Sequence, residues 1–184
     1  MRLEKGLIEH CAPTLAGIKS ASLFSYFYNE KKTAMRELEE INILLNNKGV
    51  YVEALQWRKD AVLVYVYRAS HLQKELQQPG VRELLAQYGY ENGDIDSCLA
   101  HLKKRLRQQS GFPHEIGAFL GYPLEDVKGF IENAGANCKC YGLWKVYSNE
   151  GEAIRLFNKL KKCTNVYLRV FAEGRSLTQM TVCA

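Results

Sequence analysis

Val50-Tyr51-Val52-Glu53-Ala54-Leu55-Gln56-Trp57, then Arg58-Lys59-Asp60, then Ala61-Val62-Leu63-Val64-Tyr65-Val66-Tyr67 is the stretch on which the fold turns. Both runs are rich in β-branched and aromatic residues, which suit the pleated, half-buried surface of a strand. The three polar residues between them suit a short hairpin connection. In the second run Val62, Val64 and Val66 face one side and Leu63, Tyr65 and Tyr67 the other. Apolar side chains on both faces predict an interior strand covered from both sides.

Helical patterns flank this hairpin. From Thr33 to Asn47, Met35, Leu38, Ile41 and Leu45 recur at helical spacing with Arg36, Glu37, Glu39 and Glu40 between them, and Gly49 follows as a stop. On the other side, Ser70 to Gln77 and Val81 to Gln87 read as helices separated by Pro79-Gly80. Asp94 to Gln108 carries Ile95, Cys98, Leu99, Leu102 and Leu106 on one stripe, acids in the first turn and bases near the end. A further helix opens at Pro123, with Val127, Phe130, Ile131 and Ala134 as its apolar stripe and Gly135 past its end. Cys138 to Tyr147 reads as a strand, Asn149 to Lys162 as a helix opened by Asn149 and Glu152, and Thr164 to Phe171 as another strand. The expected class is mixed α+β: a single domain over residues 1–184, with a central sheet of about five strands and flanking helices.

Composition sets outer limits. The chain has 184 residues, a formal charge of +5 and 47% apolar residues, the profile of an ordinary globular protein and not of a disordered, collagen-like or coiled-coil one. No export signal is read in the N-terminal residues, and the longest apolar stretch, Ala61 to Tyr67, is far shorter than the ~20 residues of a membrane span. A cytoplasmic location without membrane attachment is the expectation, with Cys11, Cys98, Cys138, Cys140, Cys163 and Cys183 as free thiols. No glycine-rich turn has the spacing of a phosphate-binding loop or a dinucleotide fingerprint. The densest basic cluster, Lys103 to Arg107, is explained by a helix end, so nucleic acid is not an expected partner.

Four segments carry candidate chemistry. In His10-Cys11-Ala12-Pro13-Thr14-Leu15-Ala16-Gly17 a proline two residues after the cysteine can open a helix, leaving the thiol near positive backbone dipoles that lower its pKa. Paired with His114, and with Glu115 or an asparagine as orienter, Cys11 would meet the minimum for a thiolate nucleophile, against the plainer reading of a packed cysteine. Phe112-Pro113-His114-Glu115-Ile116-Gly117 and Leu120-Gly121-Tyr122-Pro123 form either a tight structural connection or a pocket wall. Cys138 and Cys140 share a strand face that Cys163 could approach, but their spacing is not that of a zinc knuckle, so packing is preferred and no metal ligands are assigned. Trp144-Lys145-Val146-Tyr147 is either core or a recognition surface.

Cys11 to Lys19, Pro113 to Gly117, Leu120 to Ile131 and Trp144 to Tyr147 together resemble the bacterial domain-of-unknown-function family numbered 3793, over nearly the whole chain. The resemblance implies no established activity, cofactor or catalytic residue. It implies a setting in anaerobic bacteria beside flavodoxin and ferrous-iron uptake functions, hence a redox- or iron-related accessory role with a redox protein as partner. A thiol-dependent hydrolase or transferase and a protein-interaction module stand as alternatives. The candidate catalytic residues are Cys11, His114 and Glu115, and the candidate binding residues are Thr14, Lys19, Tyr122, Trp144 and Lys145.

Overall fold

A computed structural model describes residues 2–91, 93–108 and 111–183. Its contacts divide the chain into two compact units, residues 1–72 with 163–184 and residues 73–162. The first unit opens with helix α1 (Arg2–Leu15), followed by strand β1 (Ala21–Phe27), helix α2 (Lys31–Leu45), strands β2 (Val50–Trp57) and β3 (Ala61–Arg68), and the start of helix α3 (Ala69–Gln77). The second holds helices α4 (Pro79–Ala86), α5 (Ile95–Arg107), α6 (Ile116–Phe119) and α7 (Leu124–Glu132) and the short strands β4 (Cys140–Tyr141) and β5 (Lys145–Val146). Helix α8 (Glu150–Ala172) carries the boundary between the units, and α9 (Leu177–Met180) closes the chain. No described helix is long and apolar enough to cross a membrane.

The hairpin forms as its sequence predicts. β2 and β3 pair antiparallel, Arg58 N–H bonds the Ala61 carbonyl at 2.7 Å to close the turn, and all eight residues of β3 are buried. β3 is the middle strand because β1 pairs with its other edge, giving the order β1-β3-β2. One sheet face, with Val62, Val64 and Val66, joins Leu3, Leu7, Ile8, Cys11 and Leu15 of α1 and Leu38, Ile41 and Leu45 of α2 in a single core. Ala34 takes the buried place expected of Met35, which is exposed. The helical readings for α3, α4, α5 and α7 hold, and Asp94 caps α5 by accepting from Ser97 N–H at 2.9 Å.

The mixed α+β class stands, but the sheet has three strands, not five, beside a separate two-stranded hairpin. Thr164 to Phe171 is helix, not strand. No glycine or proline interrupts the chain between Glu152 and Glu173, so α8, once nucleated, propagates at little cost per residue. Tyr167, Val170 and Phe171 then recur at helical spacing and pack on the first unit's core, outweighing the β-propensity of Val166 and Val170. The strand expected over Cys138 to Tyr147 shrinks to four paired residues, because its middle is spent on the turn around Gly142. Strand β1 had no sequence signal of its own comparable to the hairpin's.

One buried cation ties the first unit together. Helix α1 ends with Gly17 at φ +72°, its N–H on the Thr14 carbonyl and Ile18 N–H on that of Pro13, a left-handed cap that glycine adopts freely. Thr14 O already accepts from Gly17 N–H and Leu15 O from Val182 N–H at 3.0 Å, and Arg68 adds a charged donor to each. Its Nε donates to Thr14 O at 2.6 Å, and its Nη2 to Leu15 O at 2.6 Å and to Val182 O at 2.7 Å. The side chain is 1% exposed, and a cation at a helix C-terminus also meets the negative end of the backbone dipole. Replacing Arg68 by Met should cost about 3 kcal/mol, because hydrogen bonds to a charged group contribute ~1.5–3 kcal/mol each and are not additive. Urea unfolding monitored by circular dichroism measures the loss, and a cost below 1 kcal/mol would show that water replaces the guanidinium.

Candidate functional site

The segment from Cys11 to Lys19 folds around the end of α1. Cys11 lies inside the helix, not at its start, because Pro13 is accommodated in the last turn and does not open a new helix. The thiol is fully buried, and burial pushes its pKa well up, against weaker opposing effects of Lys19 and of a hydrogen bond with Ser22. Thr14 and Ser22 hydroxyls pair at 2.8 Å beneath it. Lys19 is half-buried, and its ammonium bonds the Ala21 carbonyl. Burial lowers its pKa to about 8, with Cys11 acting in the opposite direction. The structure therefore brings Cys11, Thr14 and Lys19 together and adds Ser22 and Arg68, which the sequence reading missed. This set pairs a neutral thiol with a weakly basic amine, which is the reverse of an activated thiolate.

His114 and Glu115 belong to the second unit and, though adjacent, do different things. His114 is exposed, with its ring 4.9 Å from that of Phe130 and 6.3 Å from that of Phe112. Glu115 is 1% exposed and points inward. Its Oε1 takes an ion pair with Arg105 Nε and accepts from Tyr90 Oη at 3.2 Å. Arg105 in turn lies 5.1 Å over the ring of Tyr88. Burial and the adjoining Glu115 carboxylate both push the Tyr90 phenol far up, so it stays a neutral donor. Glu115 thus orients Tyr90 and Arg105.

Tyr122 and Trp144 come together in one corner, where Asp126 holds Trp144, while the Lys145 side chain runs to Gly135 and Phe130. Trp144 Nε1 donates to Asp126 Oδ2 at 2.8 Å, and the N–H groups of Tyr147 and Ser148 donate to Oδ1 at 2.8 Å. Burial pushes the carboxyl up, but these bonds outweigh it and hold the pKa below its ordinary value. Tyr122 stacks on Trp144 at 4.7 Å, and burial moves its hydroxyl up to about 12. Lys145 Nζ closes the end of α7 on the Gly135 carbonyl at 2.6 Å. Cys140 packs against Trp144 and Val146, while Cys163 lies on α8, in the other unit from the Cys138-Cys140 pair. Among the described residues no cluster of three or more His, Cys, Asp or Glu side chains is arranged to hold a metal ion.

The concave surface of the second unit lies around Tyr90. One groove, about 380 Å³, is lined by Leu76, Pro79, Leu85, Ala86, Tyr90 and Cys98, and by the charged Arg82, Glu83 and Glu91. A neighbouring one, about 540 Å³, shares Tyr90, Glu91 and Cys98 and is lined by Ser97, His101 and Lys104 of α5. His101 Nε2 lies 2.9 Å from the Tyr88 carbonyl, and its ring is 4.4 Å from that of Tyr90. Cys98 faces both grooves as a neutral thiol, pushed up to about 11 by burial and by Asp94. None of these lining residues was singled out as a site from the sequence. The one available signal was Tyr90 beside the loop that opens α5.

Fold and grooves together define a two-unit α+β protein with a shaped surface in its second unit. The family model described as Protein of unknown function (DUF3793) matches residues 7–181, and the chain belongs to that family. Comparison with curated proteins and with solved structures finds no match.

Two outcomes test the chemistry of the buried cysteines and of Lys19. Iodoacetamide at neutral pH should label the exposed Cys183 first and leave the buried Cys11 and Cys98 unmodified until the protein unfolds. Rapid labelling of Cys11 would instead revive the nucleophile reading. Lys19 binds fewer protons folded than unfolded between about pH 8 and its ordinary value of 10.5, so its contribution to stability grows as pH rises through that window. Urea unfolding should show wild type gaining on Lys19→Met between pH 7 and pH 9.5. A constant difference would mean that Lys19 titrates normally.

Proposed function

We propose that the protein is a non-catalytic binding protein that takes a small amphipathic organic ligand in the groove beside Tyr90. The carrying observation is that an apolar recess of about 380 Å³ has one wall, Tyr90, held by the buried Glu115, which is itself paired with the half-buried Arg105. Ligand sites are typically about 300–1,000 Å³, mostly apolar, with few convergent polar groups. Leu76, Pro79, Leu85 and Ala86 offer the apolar body its contacts, and Arg82, Glu83 and Glu91 offer polar anchoring. A pre-oriented wall lowers the ordering cost of binding.

The groove supports the accessory part of the family-based expectation, not its redox or iron-related part. Its only sulfur, Cys98, stays protonated at neutral pH, and a thiol is a far poorer ligand or nucleophile than a thiolate. A thiol-dependent hydrolase is supported no better, since burial holds the Cys11 proton in place.

The probe 1-anilinonaphthalene-8-sulfonate, an apolar body with one anionic group, should bind the native protein at a saturable site detected by fluorescence. Ala86→Trp fills the groove from an exposed helical position and should weaken that binding at least tenfold with an unchanged circular dichroism spectrum. Undiminished binding to Ala86→Trp would remove the groove as the site.

A further inference from the structure

The two edges of the three-stranded sheet are treated differently. Backbone groups of β2 that point away from β3 include those of Val52, and both are taken by one side chain. Val52 N–H donates to Asn42 Oδ1 at 2.8 Å and Asn42 Nδ2 donates to Val52 O at 2.8 Å. The register also slips between Ala54 and Gln56, so that edge is both plugged and bulged. These are the devices by which proteins prevent strands from pairing edge to edge.

The β1 edge has no bulge, and a side chain takes only its first outward carbonyl. Arg68 N–H bonds Ser20 O and Tyr28 N–H bonds Asp60 O, so with the continuous register from Ala21↔Tyr67 to Phe27↔Ala61 the even-numbered residues of β1 bond to β3. Antiparallel alternation then turns the N–H and C=O of Ala21, Leu23, Ser25 and Phe27 outward. Lys19 occupies the Ala21 carbonyl. The outward groups of Leu23, Ser25 and Phe27 have no partner among the described residues. Ser25 and Phe27 are exposed, Phe27 at 59%. No proline, lysine or bulge protects the stretch. Beside it a groove of about 230 Å³, lined by Arg2, Lys5, Gly6, Glu9 and His10 of α1 and by Phe24 to Phe27, leaves the edge approachable.

We propose that the β1 edge pairs with the β1 edge of a second copy of this chain, antiparallel about a two-fold axis through Ser25. The open stretch is self-complementary. With Ser25 opposite its own copy, Leu23 of each chain lies opposite Phe27 of the other, twice, on the same sheet face, which is the reciprocal pairing a two-fold interface requires. Each opposed pair in this register exchanges both of its backbone bonds, about six in all. The two aromatic–aliphatic pairs cover the exposed Phe27 rings, and such cross-strand pairs add to strand pairing. On the helix side of the edge, Arg2, Lys5 and Glu9 line the groove, with the Lys5–Glu9 pair at 3.6 Å, so an antiparallel copy meets charges of both signs. The two three-stranded sheets become one of six strands.

Sedimentation velocity on the full chain between 1 and 100 μM should show a concentration-dependent dimer. Ser25→Pro removes the central outward N–H without touching a bond to β3, and should weaken dimerisation at least tenfold. Ser25→Lys, which keeps the backbone donor and places a charge opposite its own copy, should do the same, and circular dichroism reports whether each variant is folded. The assignment is overturned if wild type stays monomeric throughout, which leaves the edge to a strand of another protein, or if both folded variants dimerise as well as wild type.

Discussion

The guanidinium of Arg68 is the interaction on which the first unit depends. It sits at the end of the middle strand, out of water, and bonds the final carbonyls of α1 and one carbonyl of the chain's last residues. A helix leaves its last carbonyls without internal partners, and burying them unbonded is costly. Here Gly17 and Val182 N–H groups meet the Thr14 and Leu15 carbonyls, and one planar cation with several donors in a fixed fork adds charged bonds that join three chain segments at once. Ordering α1 over Val62, Val64 and Val66 also orders the Cys11-to-Lys19 segment, since the glycine cap and Arg68 meet there. A Cβ on Gly17 would lie 3.7 Å from the Arg68 guanidinium carbon.

The second unit uses buried carboxylates for the same purpose. Asp126 gathers three N–H donors from Trp144, Tyr147 and Ser148 and so holds the β4–β5 hairpin on α7. Glu115 holds Tyr90 and Arg105. A buried ion pair contributes little net stability against its desolvation cost but strongly disfavours alternative arrangements of its partners. That suits a surface whose task is to keep one shape. It also explains why two residues with the look of catalytic groups, Glu115 and Asp126, are fully engaged in positioning others.

The chemistry left available follows from burial. Cys11 and Cys98 stay protonated because a thiolate would be stranded in apolar surroundings, while Lys19 is held towards its neutral form for the same reason. Cys11 and Cys98 are therefore poor nucleophiles, and the groove beside Tyr90 is lined mainly by apolar side chains. The β1 edge offers backbone groups in place of side-chain chemistry.

The sequence by itself determined the elements with strong local signals. The hairpin of β2 and β3, with β3 buried on both faces, and helices α2, α3, α4, α5 and α7 were legible because period, caps and breakers agreed over short distances. It also determined the family, through the blocks from Cys11 to Lys19 and from Pro113 to Tyr147. Only the tertiary structure decided that Thr164 to Phe171 continues α8, since packing on a distant core outweighed local propensity. Only it decided that β1 completes the sheet, because pairing with β3 is a long-range contact. The same holds for the site. Cys11, Thr14 and Lys19 were legible as neighbours within one segment, but Arg68, Ser22, Tyr90 and Cys98 became relevant through contacts remote in sequence. Whether Glu115 faced His114 or Arg105 depended on which side chain burial placed within hydrogen-bond reach, and no local pattern encodes that.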